Sequence, residues 1–214
     1  MSQNQIKWLA AILMIVDHIG FLLEIEPMRI IGRLSFPLFA WVLAQNWKRR
    51  KPESNAKPLI TRLLVFGIIS QIPYILLFNR VEFNILISFA VAVITFTQIH
   101  KAPTNKKILV MILGTVTAQL LGVNYGWYAV ACPVLMINLK GTGDRIWWGS
   151  WIVTNMVYAA TSNYFFQISA ILAPLILAWH KAAKDQKPTA IEKKFFYYFY
   201  PIHLASLAAL KTIM

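Results

Sequence analysis

The sequence predicts an all-α fold, a polytopic membrane helical bundle of about nine transmembrane helices that forms one integral membrane domain over residues 1–214. Three observations lead there. Hydrophobic residues make up 58% of the chain and charged residues only 14%, too apolar a balance for a soluble domain of this size. Apolar runs near the ~20-residue length that a bilayer core demands recur from end to end. The polar stretches between them are short; the longest, 48–58 and 181–194, cannot bury cores of their own. Any chemistry is therefore built from the spans.

Taken in order, the spans run at about 6–25, 28–47, 59–78, 84–99, 108–122, 126–139, 146–160, 164–180 and 195–213. The first, Ile6 to Ile25, has no small-residue cleavage site after its apolar stretch, so it reads as a retained span and not a signal peptide. It carries Lys7, Asp17 and His18. The second holds Arg29, Arg33 and Pro37, and the third holds Gln71 and Pro73. The fourth to eighth are short for a straight crossing and are expected to tilt, re-enter or fuse with a neighbour. Within the sixth, Cys132 beside Pro133 is the single cysteine; it cannot form an internal disulfide and is assigned to packing. The ninth carries Tyr200, Pro201 and His203. Each proline removes a helical hydrogen bond and exposes a carbonyl that neighbours or water must satisfy. No internal repeat is visible.

Lys and Arg outnumber Asp and Glu by 21 to 8, an excess that in a soluble chain would suggest nucleic acid. The loops account for it instead. With nine spans, Lys48, Arg49, Arg50, Lys51, Lys57, Lys101, Lys106, Lys107, Lys140, Arg145, Lys181, Lys184, Lys187, Lys193 and Lys194 fall on one face together with Lys7 and Arg62. Only Arg29, Arg33, Arg80 and Lys211 fall on the other. The positive-inside rule then puts the N-terminus in the cytoplasm and the C-terminus outside, in the inner (cytoplasmic) membrane, with the lipid bilayer and no nucleic acid as partner.

Ionisable groups at membrane depth cost ~2.5 kcal/mol or more unless partnered, so their default reading is a functional site. Lys7 and His18 are eleven positions apart, three helical turns plus about 20°, and project from one face ~16 Å apart along the axis. Asp17 points about 100° away from His18. Its expected partner is an arginine, with Arg29 and Arg33, i,i+4 on one face, the candidates; such a pair is either a structural bridge or, held dry, a donor set for an oxyanion. Gln71 is expected to hydrogen-bond between helices or to touch substrate. Tyr200 and His203 are i,i+3 and share a face. The histidines lack HxxxH spacing, so no metal is expected. His100 and His180 end spans in basic loops and are expected to be solvated.

Four stretches resemble one family from end to end: Ile6-Lys7 with Asp17-His18-Ile19-Gly20; Arg29 to Ala40, reading RIIGRLSFPLFA; Ile69-Ser70-Gln71-Ile72-Pro73; and Phe199-Tyr200-Pro201-Ile202-His203-Leu204. They look like the TraX family, known for the acetylase of F pilin. The DHIG, GRLSFPLFA and FYPIHL stretches are the most specific, while 84–180 is similar mainly in hydropathy. The resemblance implies an integral membrane acetyltransferase that moves acetyl from acetyl-CoA to an acceptor amine or hydroxyl, a pilin-like peptide or another envelope molecule. The Lys7-x10-His18 spacing also resembles an R-x10-H pattern of transmembrane acyltransferases, with Lys in place of Arg, a point charge in place of a bidentate fork. The implied roles are His18, Asp17 and His203 in catalysis, Arg29, Arg33, Gln71 and Tyr200 on substrate, and Lys7 and Arg62 on the phosphates of acetyl-CoA.

Two other classes carry the same residues. A small transporter or ligand-binding membrane subunit would use Asp17, His18 and Arg33 as a proton or anion site, with access alternating about the midplane. A scaffold would pack its histidines without a cavity. The nine-span topology is checked by reporter fusions after positions 52 and 214, which are expected to report opposite faces of the membrane; the same face for both would break it.

Overall fold

Periodic apolar runs without β-patterned alternation produce helices throughout. The computed structural model describes residues 1–49, 56–139, 143–162, 164–180 and 189–214. Its α-helices are α1 (Gln3–Leu22), α2 (Glu26–Gly32), α3 (Ser35–Lys48), α4 (Lys57–Phe78), α5 (Ile85–Lys101), α6 (Lys107–Leu120), α7 (Tyr128–Ile137), α8 (Arg145–Ser162), α9 (Ala173–Leu177) and α10 (Ala190–Ile213), and a 3-10 segment, Phe165–Leu172, leads into α9. Among the described residues the only β-type pairing is an isolated bridge between Phe83 and Val123. Of the basic loop residues, Arg50, Lys51, Lys140, Lys181, Lys184 and Lys187 lie outside the described residues.

Among the described residues two helices, α1 and α4, are long and apolar enough to cross a membrane. Exposure shows what surrounds α4: Ile68 is 69%, Ile72 70% and Leu76 62% exposed. A helix in a soluble core buries such residues, whereas a lipid-facing helix presents them. The chain is accordingly a membrane protein with an all-helical fold.

The spans expected from hydropathy differ from the helices in three places. The second breaks at Arg33 and Leu34 into α2 and α3, because Arg33 is drawn to a partner on α1. Pro37 therefore lies in the first turn of α3, where its missing N–H costs nothing, and not at a mid-span kink. The sixth is the ten-residue α7, only ~15 Å long, and the eighth is the 3-10 segment plus the five-residue α9. Pro73 and Pro201 do lie inside their helices.

The chain divides into two compact units, each assembled from separated stretches: Met1–Val42 with Leu135–Glu192, and Leu43–Val134 with Lys193–Met214. In the first, Ser2 starts α1 through a capping box with Gln5, α2 folds back on α1, and α8 packs on the 3-10 segment. His180, expected to be solvated, is half-buried with its ring 4.8 Å from Trp41, since an apolar imidazole edge packs readily on indole. In the second unit α4, α5 and α6 pack in succession. There α4 and α10 run in the same direction: Arg62 donates to the Tyr197 hydroxyl at one end, and Lys211 Nζ donates to the Leu77 carbonyl at 2.7 Å at the other. Lys211 thus places a cation on the carbonyl end of α4.

A second capping box starts α10. Thr189 N donates to Glu192 Oε2 at 2.7 Å and Glu192 N to Thr189 Oγ1 at 3.2 Å. Asn4 Nδ2 donates to Glu192 Oε1 at 3.0 Å. The Thr189 backbone N–H, with smaller help from the Thr189, Asn4 and Trp8 side chains, holds the Glu192 carboxyl below its ordinary range. A lowered folded-state pKa means stabilisation that is present above the unfolded value and lost as pH falls through the folded one. Amide exchange in the first turn of α10 is therefore expected to accelerate as pH drops through the carboxylate range, beyond the intrinsic pH effect, and to lose that dependence in Glu192→Gln.

Candidate functional site

Asp17, one turn from the end of α1, is 7% exposed despite its charge, and the local chain is shaped to supply its partners. The α1–α2 turn returns the backbone so closely that a Cβ on Gly32 would lie 2.6 Å from the Asp17 Cα, so only glycine admits this approach. The approach brings two arginines to one carboxylate. Arg33 Nε donates to Asp17 Oδ1 at 3.0 Å while its Nη2 donates to Oδ2, a fork-on-carboxylate pair. Arg29 Nη1 donates to Oδ2 at 3.4 Å and to the Asp17 carbonyl at 3.1 Å.

Aromatic rings close over the pair. Tyr164, at the head of the 3-10 segment, accepts from Arg29 Nη2 through its hydroxyl and places its ring 4.9 Å from the Arg33 guanidinium carbon and 5.8 Å from that of Arg29. The Phe21 ring lies 5.2 Å from Arg29. Ser169 Oγ donates to the Ile30 carbonyl at 2.6 Å, which ties the 3-10 segment to α2. Two cations and one anion sum to a positive centre, stabilised by π faces. Both Asp17 oxygens are taken by guanidinium, so this carboxylate acts as an anchor.

Of the other residues singled out from sequence, His18 follows Asp17 on α1 and is half-buried. Lys7, in the same unit, is half-buried and within electrostatic reach of Glu192, an acid that sequence did not pair with it. Arg62, Gln71, Tyr200 and His203 belong to the second unit. Arg62 Nε also donates to the Pro58 carbonyl at 2.8 Å. Gln71 is spent on the chain that follows α4: its Nε2 donates to the Glu82 carbonyl at 3.0 Å, and its Oε1 accepts from Asn84 N at 3.1 Å and Asn84 Nδ2 at 2.8 Å. Tyr200 is buried, and its hydroxyl meets the N–H of Ile85, the first residue of α5. The His203 ring stacks on Phe199 at 4.9 Å and lies 5.6 Å from Tyr200, the shared face expected from their spacing. His203 Nδ1 is 3.0 Å from the Phe199 carbonyl, a contact that requires the proton on Nδ1 and makes Nε2 the basic nitrogen.

A family model described as TraX protein matches residues 2–211. The chain belongs to the TraX family. It is 30% identical to "Protein TraX" of Escherichia coli over 98% of this chain and 87% of that one. It is 22% identical to the "Probable fimbrial assembly protein FimC, serogroup H1" of Dichelobacter nodosus over all of this chain and 97% of that one, and 40% identical to "Uncharacterized protein RP591" of Rickettsia prowazekii over 40% of this chain and 33% of that one. No solved structure matches the chain.

Sequence reasoning on this TraX-family chain missed Tyr164, which sits beside a helix end and carries no spacing signal of its own. Because Arg33 makes the forked contact and is the more buried arginine, with a side chain 7% exposed against 12% for Arg29, Arg33→Ala is expected to be the costlier change. Removing it should cost about 3–5 kcal/mol, as for breaking a buried pair, and the loss should fall when Asp17→Asn is added. Unfolding in detergent measures both.

Proposed function

We propose that the protein is a membrane-embedded acetyltransferase of the inner membrane that moves an acetyl group from acetyl-CoA to an acceptor amine or hydroxyl, with a pilin-like peptide as the acceptor. The observation that carries this reading is the buried Asp17 carboxylate gripped by Arg29 and Arg33, immediately beside His18 on a helix able to span the bilayer. Family membership supports it, and so does the relative whose name assigns it to fimbrial assembly.

Acetyl-CoA supplies an activated thioester whose carbonyl the acceptor attacks; a C–N or C–O bond forms, the C–S bond breaks, and the thiolate leaves. The chain's own residues then have defined tasks. His18 accepts the acceptor's proton, imidazole being the side chain that titrates near neutral pH. The positive Arg29 and Arg33 centre, preorganised by Asp17 and Tyr164, stabilises negative charge as it develops on the carbonyl oxygen. Its charge fits the anionic donor. Lys7 attracts the CoA phosphates from the cytoplasmic side, where the N-terminus lies in this reading. Glu192, within electrostatic reach of Lys7, offsets part of its charge. His203 is the alternative base or an orienting partner.

Acetyl transfer to an N-terminal amine by purified protein, followed with labelled acetyl-CoA, tests the proposal. His18→Ala is expected to fold and to bind acetyl-CoA but to turn over roughly 10²–10⁴-fold more slowly. Lys7→Ala should weaken CoA binding more than it slows the bound complex, because phosphate attraction is equal in ground and transition states. Wild-type turnover in His18→Ala would pass the role of base to His203. No transfer by the wild type to any amine or hydroxyl acceptor would overturn the reading.

A further inference from the structure

The second unit contains a carboxylate that the reaction above does not use. Glu82 lies in the six-residue connection between α4 and α5, and that connection is zipped to the one between α6 and α7. Phe83 N donates to the Gly122 carbonyl at 3.0 Å and Asn124 N to the Phe83 carbonyl at 2.7 Å. Ser88 Oγ on α5 donates to the Asn124 carbonyl at 2.8 Å. The turn that allows this pairing is backbone-strained, with Tyr125, a bulky residue, held at φ 67° beside Gly126 at φ 50°. Neither connection is a passive loop.

The zipped chains build a one-sided carboxylate. Tyr74 from α4 donates its hydroxyl to Glu82 Oε1 at 2.6 Å, and Asn124 Nδ2 donates to the same oxygen at 2.7 Å. Asn124 also donates to the Tyr74 hydroxyl at 3.0 Å, closing a three-membered ring of hydrogen bonds. Arg80 approaches the same Oε1 at 3.6 Å from a side chain 55% exposed, a weak, solvent-screened contact. Among the described residues nothing donates to Oε2. The Glu82 side chain is 29% exposed, and its chain neighbours Val81 and Phe83 expose apolar surface beside it. The result is a carboxylate oxygen held at fixed orientation by its twin, reachable from outside, with an apolar rim.

We infer that Glu82 is the recognition site for a primary ammonium group, the N-terminal amine of an apolar peptide acceptor. An ammonium carries three donors and a full positive charge, which suits a preorganised carboxylate oxygen, and Val81 and Phe83 suit an apolar first residue. Tyr74 and Asn124 are positioning residues that keep Oε2 turned outward. The identity of the ligand as the acceptor rests on the acetyl-transfer reading; the binding itself does not.

The test uses one short apolar peptide in two forms, with a free N-terminus and with an acetylated one, titrated into the full-length protein in detergent. The wild type is expected to bind the free amine about tenfold or more tightly than the acetylated form, the size of one charge-assisted hydrogen bond. Glu82→Gln keeps an oxygen for Tyr74 and Asn124 and is expected to bind both forms equally and weakly. Equal binding of the two forms by the wild type would overturn the site without any variant, and so would retained discrimination in Glu82→Gln. In the transfer assay the site requires Glu82→Gln to raise KM for the amine peptide while leaving acetyl-CoA binding unchanged. Discrimination without any acetyl transfer would support the site and reject the enzyme reading; transfer with an unchanged KM in Glu82→Gln would support the enzyme and reject the site.

Discussion

A carboxylate in an apolar helix needs compensation, and the way Asp17 obtains it shapes the first unit. One guanidinium would neutralise the charge; two hold both oxygens and the backbone carbonyl as well. To deliver both, the chain turns sharply after α1, brings Gly32 against Asp17, and stops being helical at Arg33, whose fork completes the pair. Tyr164 then closes over the cations, and with it comes the 3-10 segment that a regular helix would have replaced. The break between α2 and α3, the tight turn after α1 and the 3-10 segment before α9 all accompany the satisfaction of one acid where water is scarce.

The second unit solves a related problem with neutral partners. Glu82 sits at helix ends, where its carboxylate retains some solvent, so Tyr74 and Asn124 suffice and they satisfy only one oxygen. The contrast has chemical meaning. The Asp17 centre is positive and has its anion consumed, which suits stabilising negative charge on a ligand; the Glu82 centre presents negative charge outward, which suits holding a cation.

The chain buries several polar residues and exposes many large apolar ones. Asp17, Arg33, Asn84, Asn155 and Gln167 are buried while Ile68, Ile72, Leu120 and Ile146 are exposed. With lipid as solvent, apolar surface carries no penalty outside and polar groups gain by meeting one another inside. The buried polar residues add directional contacts to an interior that is otherwise apolar, with Ile6, Leu38, Val93 and Leu204 fully buried.

Much of this was written in the sequence, because it depends on local pattern. Apolar runs of span length make helices, and an ionisable residue such as Asp17 must find an opposite charge, with Arg29 and Arg33 the nearest cations in the following segment. Tyr200 and His203 share a face because three residues make most of a helical turn. The rest depended on contacts between residues distant in the chain. Tyr164 reaches Arg29 across 135 positions, Asn124 reaches Glu82 across 42, and Asn4 reaches Glu192 across 188. Hydropathy could not foresee that Arg33 would interrupt a helix, since a run of apolar residues records the cost of exposing backbone to lipid but not the gain from a forked ion pair. Periodicity is a property of neighbours, whereas the partners of a buried charge are selected by the fold that brings them together.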